Sequence, residues 1–179
     1  APAPPPDGGD RMETPSLGSR SAALGWLEDE RANVLACIHR ANGLGMHELV
    51  VRMAAAMAPF LRQAGPWDQA VGLHRTAAEA ARQTGDRRAL AAALTESGVI
   101  RRFMAAYPDA IEALEEAIAE YEAAGEKRGK AGALNQLGIV QYMIADNEAA
   151  AEAQSESLRL YREAGDRLGQ ANALADLGM

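Results

Sequence analysis

Apolar residues recur at helical spacing along most of the chain. Between residues 109 and 123 they follow one stripe, with glutamates filling the opposite face, and this pattern predicts an amphipathic helix. A similar pattern predicts an entry helix over 21–42, with Ser21 as its N-cap and Gly43 to Gly45 at its end. The stripe in 109–123 consists of Ala110, Ile111, Leu114, Ala117, Ile118 and Tyr121.

The pattern repeats every 40 residues. Segments 85–124 and 125–164 share 13 identical positions, and each begins with a Gly-acid-base corner. Gly85 is the left-handed residue that ends one helix, and Asp86 caps the next. We therefore predict units at 45–84, 85–124 and 125–164 and a partial unit at 165–179, each full unit being two antiparallel helices.

Small residues explain how these helices pack. A glycine inside a helix costs about 1 kcal/mol relative to alanine, so glycines at a constant interval indicate close contact with a partner helix. In the first unit Ala58 replaces this glycine, and Pro59 predicts a kink. The predicted packing residues are Gly98, Gly138, Gly178, Ala110, Ala150, Tyr121 and Tyr161.

Composition agrees with an all-α fold. Val, Ile and Thr number only 16 of 179 residues, too few for a sheet-based domain. The longest apolar run, 53–61, is far shorter than a membrane helix. The single Cys37 excludes an internal disulfide and favours a reducing compartment, and the absence of a signal peptide pattern predicts a cytoplasmic location.

The first 19 residues differ from the rest. Five of the eight prolines lie in the first fifteen, which predicts a flexible linker, with a proline-rich recognition peptide as the alternative. The start lacks a methionine, which suggests a piece of a longer protein. For 20–179 we predict an all-α, right-handed superhelical solenoid of antiparallel helix pairs with about eight helices.

This arrangement resembles tetratricopeptide repeats, in a 40-residue form. The sequence departs from that family at three positions that usually hold large apolar residues: Ser97, Arg101 and Gln141. The predicted core of the third unit also contains two polar residues, Gln154 and Ser157. The matching residues are Leu94, Gly98, Ala110, Leu114 and Ala117 in one unit and Leu134, Leu137, Gly138 and Ala150 in the next.

A narrower resemblance covers about 23–179. The run 23–34, the segments 59–61 and 65–67, and the Gly-Asp-Arg corners are similar to the C-terminal repeat domain of actinobacterial SARP-type transcriptional regulators and related signalling NTPases. That family carries a winged-helix domain and an NTPase module earlier in its chain. The resemblance implies the sensor or partner-binding part of a transcriptional regulator.

Catalytic and metal-binding signatures are weak. Residues 125–131 resemble a phosphate loop, but the glycine spacing is wrong and Ala131 replaces Ser/Thr. Cys37 and His39 point to different faces of a helix, His47 adds no ligand pair, and His74 fits a helix packing seam. We therefore predict no enzyme activity, no metal site and no cofactor.

Binding is expected on the concave side, which the first helix of each unit lines. An amide can bridge peptide N–H and C=O groups, an arginine can bind a carboxylate, and aromatic residues and methionine supply apolar contact. The alternative is that these residues form a wettable inner surface or pack against the next repeats. The predicted groove residues are Arg52, Arg62, Glu96, Arg102, Phe103, Asn135, Gln136, Tyr142, Met143 and Asp176.

The negative charge of the chain limits the kinds of partner that it can bind. The chain has a net charge of −7, and residues 106–179 alone carry 14 acidic and 6 basic groups. This acidity argues against nucleic-acid binding, and it indicates either a solvated convex surface or a docking face for a basic partner.

These features predict a non-catalytic regulatory module whose groove binds a protein segment, a peptide or a small effector, including another domain of the parent chain, with no membrane contact. The alternatives are a homo-oligomerisation element, forming a homodimer through the last helix, and an accessory interaction domain of a larger enzyme or cargo adaptor.

Overall fold

Residues 18–178 are described by a computed structural model, and within this range the chain is all helix and turn. The linker predicted at 1–19 therefore lies outside the described residues except for its last two, and so does Met179. None of the helices in the described part is long and apolar enough to cross a bilayer. Residues 18–178 form eight helices: α1 (Arg20–Gly43), α2 (His47–Ala64), α3 (Trp67–Thr84), α4 (Arg87–Phe103), α5 (Tyr107–Ala123), α6 (Lys127–Met143), α7 (Asn147–Glu163) and α8 (Arg167–Leu177).

The helix ends follow from the repeated corners. Gly85 is the C-cap of α3 with φ of 71°, and Gly125 and Gly165 have the same left-handed backbone, which glycine adopts without steric cost. The Asp86 carboxylate accepts a hydrogen bond from the Ala89 amide at 2.9 Å. Sharp corners of this kind turn the chain back on itself and make successive helices antiparallel.

The start of α1 differs from the sequence-based expectation. Its N-cap is Ser19, whose hydroxyl oxygen accepts from the Ala22 amide at 3.1 Å, whereas Ser21 lies inside the helix. Two serines two residues apart both satisfy the capping preference, and the sequence pattern alone does not separate them. The end of α1 at Gly43 is as predicted.

The packing order makes the chain an all-α solenoid. The backbones of α2, α4, α6 and α8 approach one another in sequence, whereas those of α3, α5 and α7 do not within the described residues. Arg82 on α3 reaches α5 only through its long side chain, which forms an ion pair with Glu116. The first helices are thus closer together than the second helices, and they form the inner, concave layer. α1 packs against α2 and α3 and covers the first pair.

Two glycines bring the helices of a pair into close contact. A methyl group on Gly98 would lie 2.6 Å from the Leu114 Cγ and 3.2 Å from the Ala110 carbonyl oxygen. A methyl group on Gly138 would lie 3.1 Å from the Ala150 carbonyl oxygen. A side chain at either position would therefore push the second helix away.

Gly178 has no second helix against it within residues 18–178, so the packing role predicted for it stays a prediction. It is the C-cap of α8, and the nearest atoms to a methyl group placed there are carbonyl oxygens of Leu174 and Ala175 in its own helix. The prediction required a second helix against Gly178, and none follows α8 within residues 18–178.

Tyr121 and Tyr161 join neighbouring pairs. A methyl group on Gly129 would lie 2.3 Å from the ring of Tyr121, and one on Gly169 would lie 2.3 Å from the ring of Tyr161. Each ring therefore lies flat on the first turn of the next helix, α6 or α8. Neither glycine was among the predicted packing residues, although each one follows its tyrosine by eight residues.

Ion pairs on the surface repeat with the same period. Arg88 lies 2.7 Å from Glu126, and Arg128 lies 2.5 Å from Asp166. Both arginines are largely exposed, so each pair contributes about 0–1 kcal/mol. Their main consequence is that they favour one register between successive first helices.

Candidate functional site

The predicted groove residues lie on the inner layer formed by α2, α4, α6 and α8. The first contact within this set joins α2 to α4, where the Arg62 Nε lies 3.3 Å from the Glu96 Oε2. Burial raises the pKa of Glu96, and the charge of Arg62 opposes that rise. Arg52, also on α2, is exposed and lines a cavity together with Glu96.

Arg102 is held at the end of α4 by aromatic contacts. Its guanidinium carbon lies 4.5 Å from the centre of the Phe103 ring, and that ring stacks on Trp67 with centroids 5.6 Å apart. Burial lowers the pKa of Arg102, while the charges of Asp176 and Tyr107 oppose the shift. The guanidinium is therefore partly desolvated and fixed in orientation.

Two of the predicted groove residues, Asn135 and Asp176, contact each other. Asn135 is only 6% exposed, and its Nδ2 donates to the Asp176 Oδ2 at 2.7 Å. This bond uses one of the two N–H groups of the amide, and the Asn135 Oδ1 is buried without a hydrogen-bond partner among residues 18–178. Asn135 thus joins α6 to α8, and Gln136 beside it is half-buried.

Exposed apolar residues line one edge of the inner layer. They lie in the last turns of α4 and α6, in the turns that follow these helices, and at the start of α3, and each is 39–47% exposed. The prediction contained Phe103, Tyr142 and Met143 and missed the other three. Members of the set recur at an interval of 40 residues. We call this set the apolar edge: Trp67, Phe103, Met104, Tyr142, Met143 and Ile144.

His74 lies on α3 in the seam between helices, 2% exposed. Burial lowers its pKa to about 4, and the charge of Arg62 lowers it further in the same direction. The imidazole is therefore neutral at pH 7. Its Nε2 has no hydrogen-bond partner among residues 18–178.

No three His, Cys, Asp or Glu side chains in residues 18–178 come close enough to hold a metal ion. Cys37 and His39 are exposed on α1, and His47 lies at the start of α2. The polar residues of the inner layer are instead paired across helices or placed beside apolar ones. Such an arrangement suits the recognition of another molecule's surface.

Comparison with known proteins bears on the fold. No family model matches the chain, and no curated protein sequence does. Among solved structures, the crystal structure of BtubC (BKLC) from P. vanneervenii superposes with a TM-score of 0.69 at 15% sequence identity, covering 88% of this chain and 68% of that one. At this identity the likeness shows a shared helical fold.

Proposed function

We propose that this chain is a non-catalytic, protein- or peptide-binding module of a multidomain transcriptional regulator. The observation that supports it most directly is the apolar edge, which lies beside the partly desolvated Arg102 on consecutive first helices. Exposed aromatic and methionine side chains around an arginine are the composition that concentrates binding energy at protein interfaces.

The chemistry of the edge describes the partner. Phe103, Tyr142 and Met143 are exposed in the last turns of two neighbouring first helices, which fits a helix or an extended segment with apolar side chains at regular spacing. Arg102 has lost part of its water, so a carboxylate on the partner would replace that solvation with a charge-assisted hydrogen bond. We therefore expect an amphipathic segment with an acidic residue facing Arg102.

A peptide selection tests this proposal. Peptides selected from a random library against the wild type should bind an Arg102→Ala, Phe103→Ala variant at least 10-fold more weakly, about 1.4 kcal/mol. A Glu115→Ala variant, altered on the exposed face of α5, is the matched control and should bind with unchanged affinity. Equal affinity for all three proteins, measured by calorimetry, would remove the apolar edge as the binding surface.

The assignment to a transcriptional regulator rests on the resemblance of 23–34 and the Gly-Asp-Arg corners to SARP-type proteins. The full gene provides the test. A winged-helix domain and an NTPase module encoded before Ala1 would support the regulator. A hydrolase motif there would favour the alternative, an accessory domain of a larger enzyme.

A homo-oligomerisation element is the second candidate, and one observation favours it. Leu174 on α8 is 52% exposed, whereas Leu94 and Leu134, eighty and forty residues earlier, are 8% and 9% exposed because second helices cover them. This uncovered face of α8 would pair with a second copy of the chain.

Sedimentation separates this candidate from the first. If α8 pairs with α8, the wild type should be a dimer at micromolar concentration and a Leu174→Glu variant should be a monomer. Leu168→Glu is the control, since Leu168 is also exposed but occupies the position of the ion-pairing Arg128. A monomeric wild type at 100 µM, a concentration on the order of a weak interface's Kd, would rule the candidate out.

A further inference from the structure

A groove of about 520 Å³ lies between α1 and α3. Residues 31–39 of α1 form one wall and residues 69–76 of α3 form the other, so within the described part of the chain the inner layer contributes nothing to it. Its apolar surface comes from Leu35 and Leu73 and from the small side chains of Ala32 and Ala36. We call this feature the outer groove.

The rest of the chain, within residues 18–178, covers α1 poorly. Two of the 24 residues of α1, Ile38 and Ala41, are buried, whereas eight of the 17 residues of α4 are buried. In the outer groove Leu35 is half-buried and Ala36 is exposed. α1 therefore has a face on which one more helix can pack.

Gly72 lies on the wall of the outer groove in the interior of α3, where a glycine is less favourable than other residues. The glycines at 98 and 138 are explained by a second helix, since its carbonyl oxygens would lie within 3.2 Å of an added methyl group. A methyl group on Gly72 would meet no atom within 4 Å, and the positions 40 and 80 residues later hold Glu112 and Glu152. No contact within residues 18–178 thus requires this glycine. Close approach of another molecule's backbone would require it, because only glycine leaves that space open.

The ionisable side chains that line the outer groove are all basic. They are Arg31, His39 and Arg75, and no acidic residue among 18–178 lines it. The Arg31 guanidinium is already held, by the Glu28 carboxylate at 3.2 Å and by the Gly65 carbonyl oxygen at 3.3 Å. Arg75 is exposed, and its side chain has no hydrogen bond or ion pair within the described residues. Arg75 can therefore bind a carboxylate of another molecule.

The repeat shows that this charge is particular to the first unit. On α3 the residues that line the outer groove include no acid, whereas three of the positions forty residues later, on α5, are acidic. The two sets are Gln69, Gly72 and Arg75 in α3, and Asp109, Glu112 and Glu115 in α5. In a chain with a net charge of −7, the acidic outer face is thus interrupted where α1 and α3 form a groove.

We propose that the outer groove binds an acidic amphipathic helix of a partner protein, with its carboxylates facing Arg75 and its backbone close to Gly72. A helix fits because both walls are helices, and a third helix packs into such a groove through apolar side chains three and four residues apart. An acidic helix fits because a basic one would meet only groups of its own charge. The outer groove contains none of the residues of the apolar edge, so this surface is independent of the function proposed above.

A library of helical peptides, selected against the wild-type chain, tests the proposal. The peptides are about 18 residues long so that the helix is stable, share a leucine stripe and are random beside it. Those that bind the Arg102→Ala, Phe103→Ala variant as tightly as the wild type are kept, which removes the peptides that bind the apolar edge. We expect the remaining peptides to be rich in Asp and Glu, and replacement of these acids by Asn and Gln to weaken binding at least 10-fold. No remaining peptide, or equal binding of the amide versions, would overturn the proposal.

Two variants place the binding in the outer groove. Arg75→Gln removes the unpaired charge and should weaken the acidic peptide at least 10-fold. Gly72→Gln fills the space over α3 and should abolish binding, while its thermal unfolding temperature should be no lower than that of the wild type, because the new side chain has room and glycine is a poor helix former.

Gly25→Gln is the matched control for Gly72→Gln. Gly25 also lies in a helix with no atom within 4 Å of an added methyl group, and it does not line the outer groove, so this variant should bind the acidic peptide as the wild type does. Unchanged affinity in a folded Arg75→Gln or Gly72→Gln variant would contradict the site.

A second copy of the chain is the other candidate occupant, because its α5 carries acidic residues on the outer face. Sedimentation of the wild type without peptide distinguishes this copy from a separate partner. We expect no self-association that depends on Arg75. A dimer that Arg75→Gln dissociates and Leu174→Glu does not would place a second copy in the outer groove and overturn the assignment to a separate partner.

Discussion

The free energy of unfolding is expected to fall by about 3 kcal/mol more in the wild type than in a His74→Gln variant when the pH is lowered from 7 to 4. The buried imidazole has a pKa of about 4 in the folded chain and 6.5 as its ordinary value. Between these two values the unfolded chain takes up a proton that the folded chain does not, and this uptake favours unfolding.

The sign follows from the direction of the shift. Above pH 6.5 the imidazole is neutral in both states and contributes no pH dependence. As the pH falls from 6.5 to about 4, stability is lost by about 1.4 kcal/mol per pH unit, and the loss levels off below pH 4. Burial raises the pKa of Glu96, which acts in the opposite direction because the folded carboxyl then binds its proton more readily.

The comparison with His74→Gln isolates the histidine from the other titrating groups. Glutamine is a natural control because Gln154 stands eighty residues after His74 and is also buried. Urea unfolding at a series of pH values between 4 and 7 measures the difference. Parallel pH profiles for the two proteins would show that His74 is not desolvated as described.

Gly129→Ala is expected to destabilise the chain by about 1–3 kcal/mol, the usual cost of overpacking a core. The new methyl group would lie 2.3 Å from the buried ring of Tyr121, so the ring or the first turn of α6 must move. Because this contact joins α5 to α6, the loss should appear in the cooperative unfolding transition. Urea denaturation followed by circular dichroism measures it.

Gly132→Ala is the matched control in the same helix. A methyl group there would lie 3.4 Å from the Tyr161 hydroxyl, at the edge of an ordinary contact, and alanine gains up to about 1 kcal/mol over glycine in a helix interior. This variant should therefore be as stable as the wild type or more stable.

A double-mutant cycle tests whether the ring of Tyr121 is the cause of the destabilisation expected for Gly129→Ala. Forty residues earlier, Ala81 and Ala89 stand at the positions of Tyr121 and Gly129, which shows that alanine fits here when the ring is absent. Gly129→Ala should consequently be harmless in a Tyr121→Ala background. An equal cost in both backgrounds would show that the ring does not require the glycine.

The fold is largely readable from local patterns. The 40-residue interval, the apolar stripe of 109–123 and the capping Asp86 predict eight helices and their ends to within a few residues, and the structure confirms the all-α solenoid. These signals suffice because each one acts over one or two helical turns or repeats in several units.

Contacts between units were harder to predict. Asn135 donates a hydrogen bond to Asp176, one unit later. No local pattern in the sequence predicts this pairing. Gly178 lacks its predicted partner because the role depends on a second helix, which is absent from residues 18–178. The pairing of Gly129 with Tyr121 was visible as a spacing, but its meaning depends on how α5 lies on α6.

The central claim is that a partner binds along the apolar edge of the first helices. Chemical-shift mapping of a selected peptide on the isotope-labelled chain tests it most directly. We expect the largest shifts in the last turns of α4 and α6, at Phe103, Tyr142 and Met143. Shifts concentrated on the outer faces of α5 and α7, around Glu115 and Glu152, would contradict it.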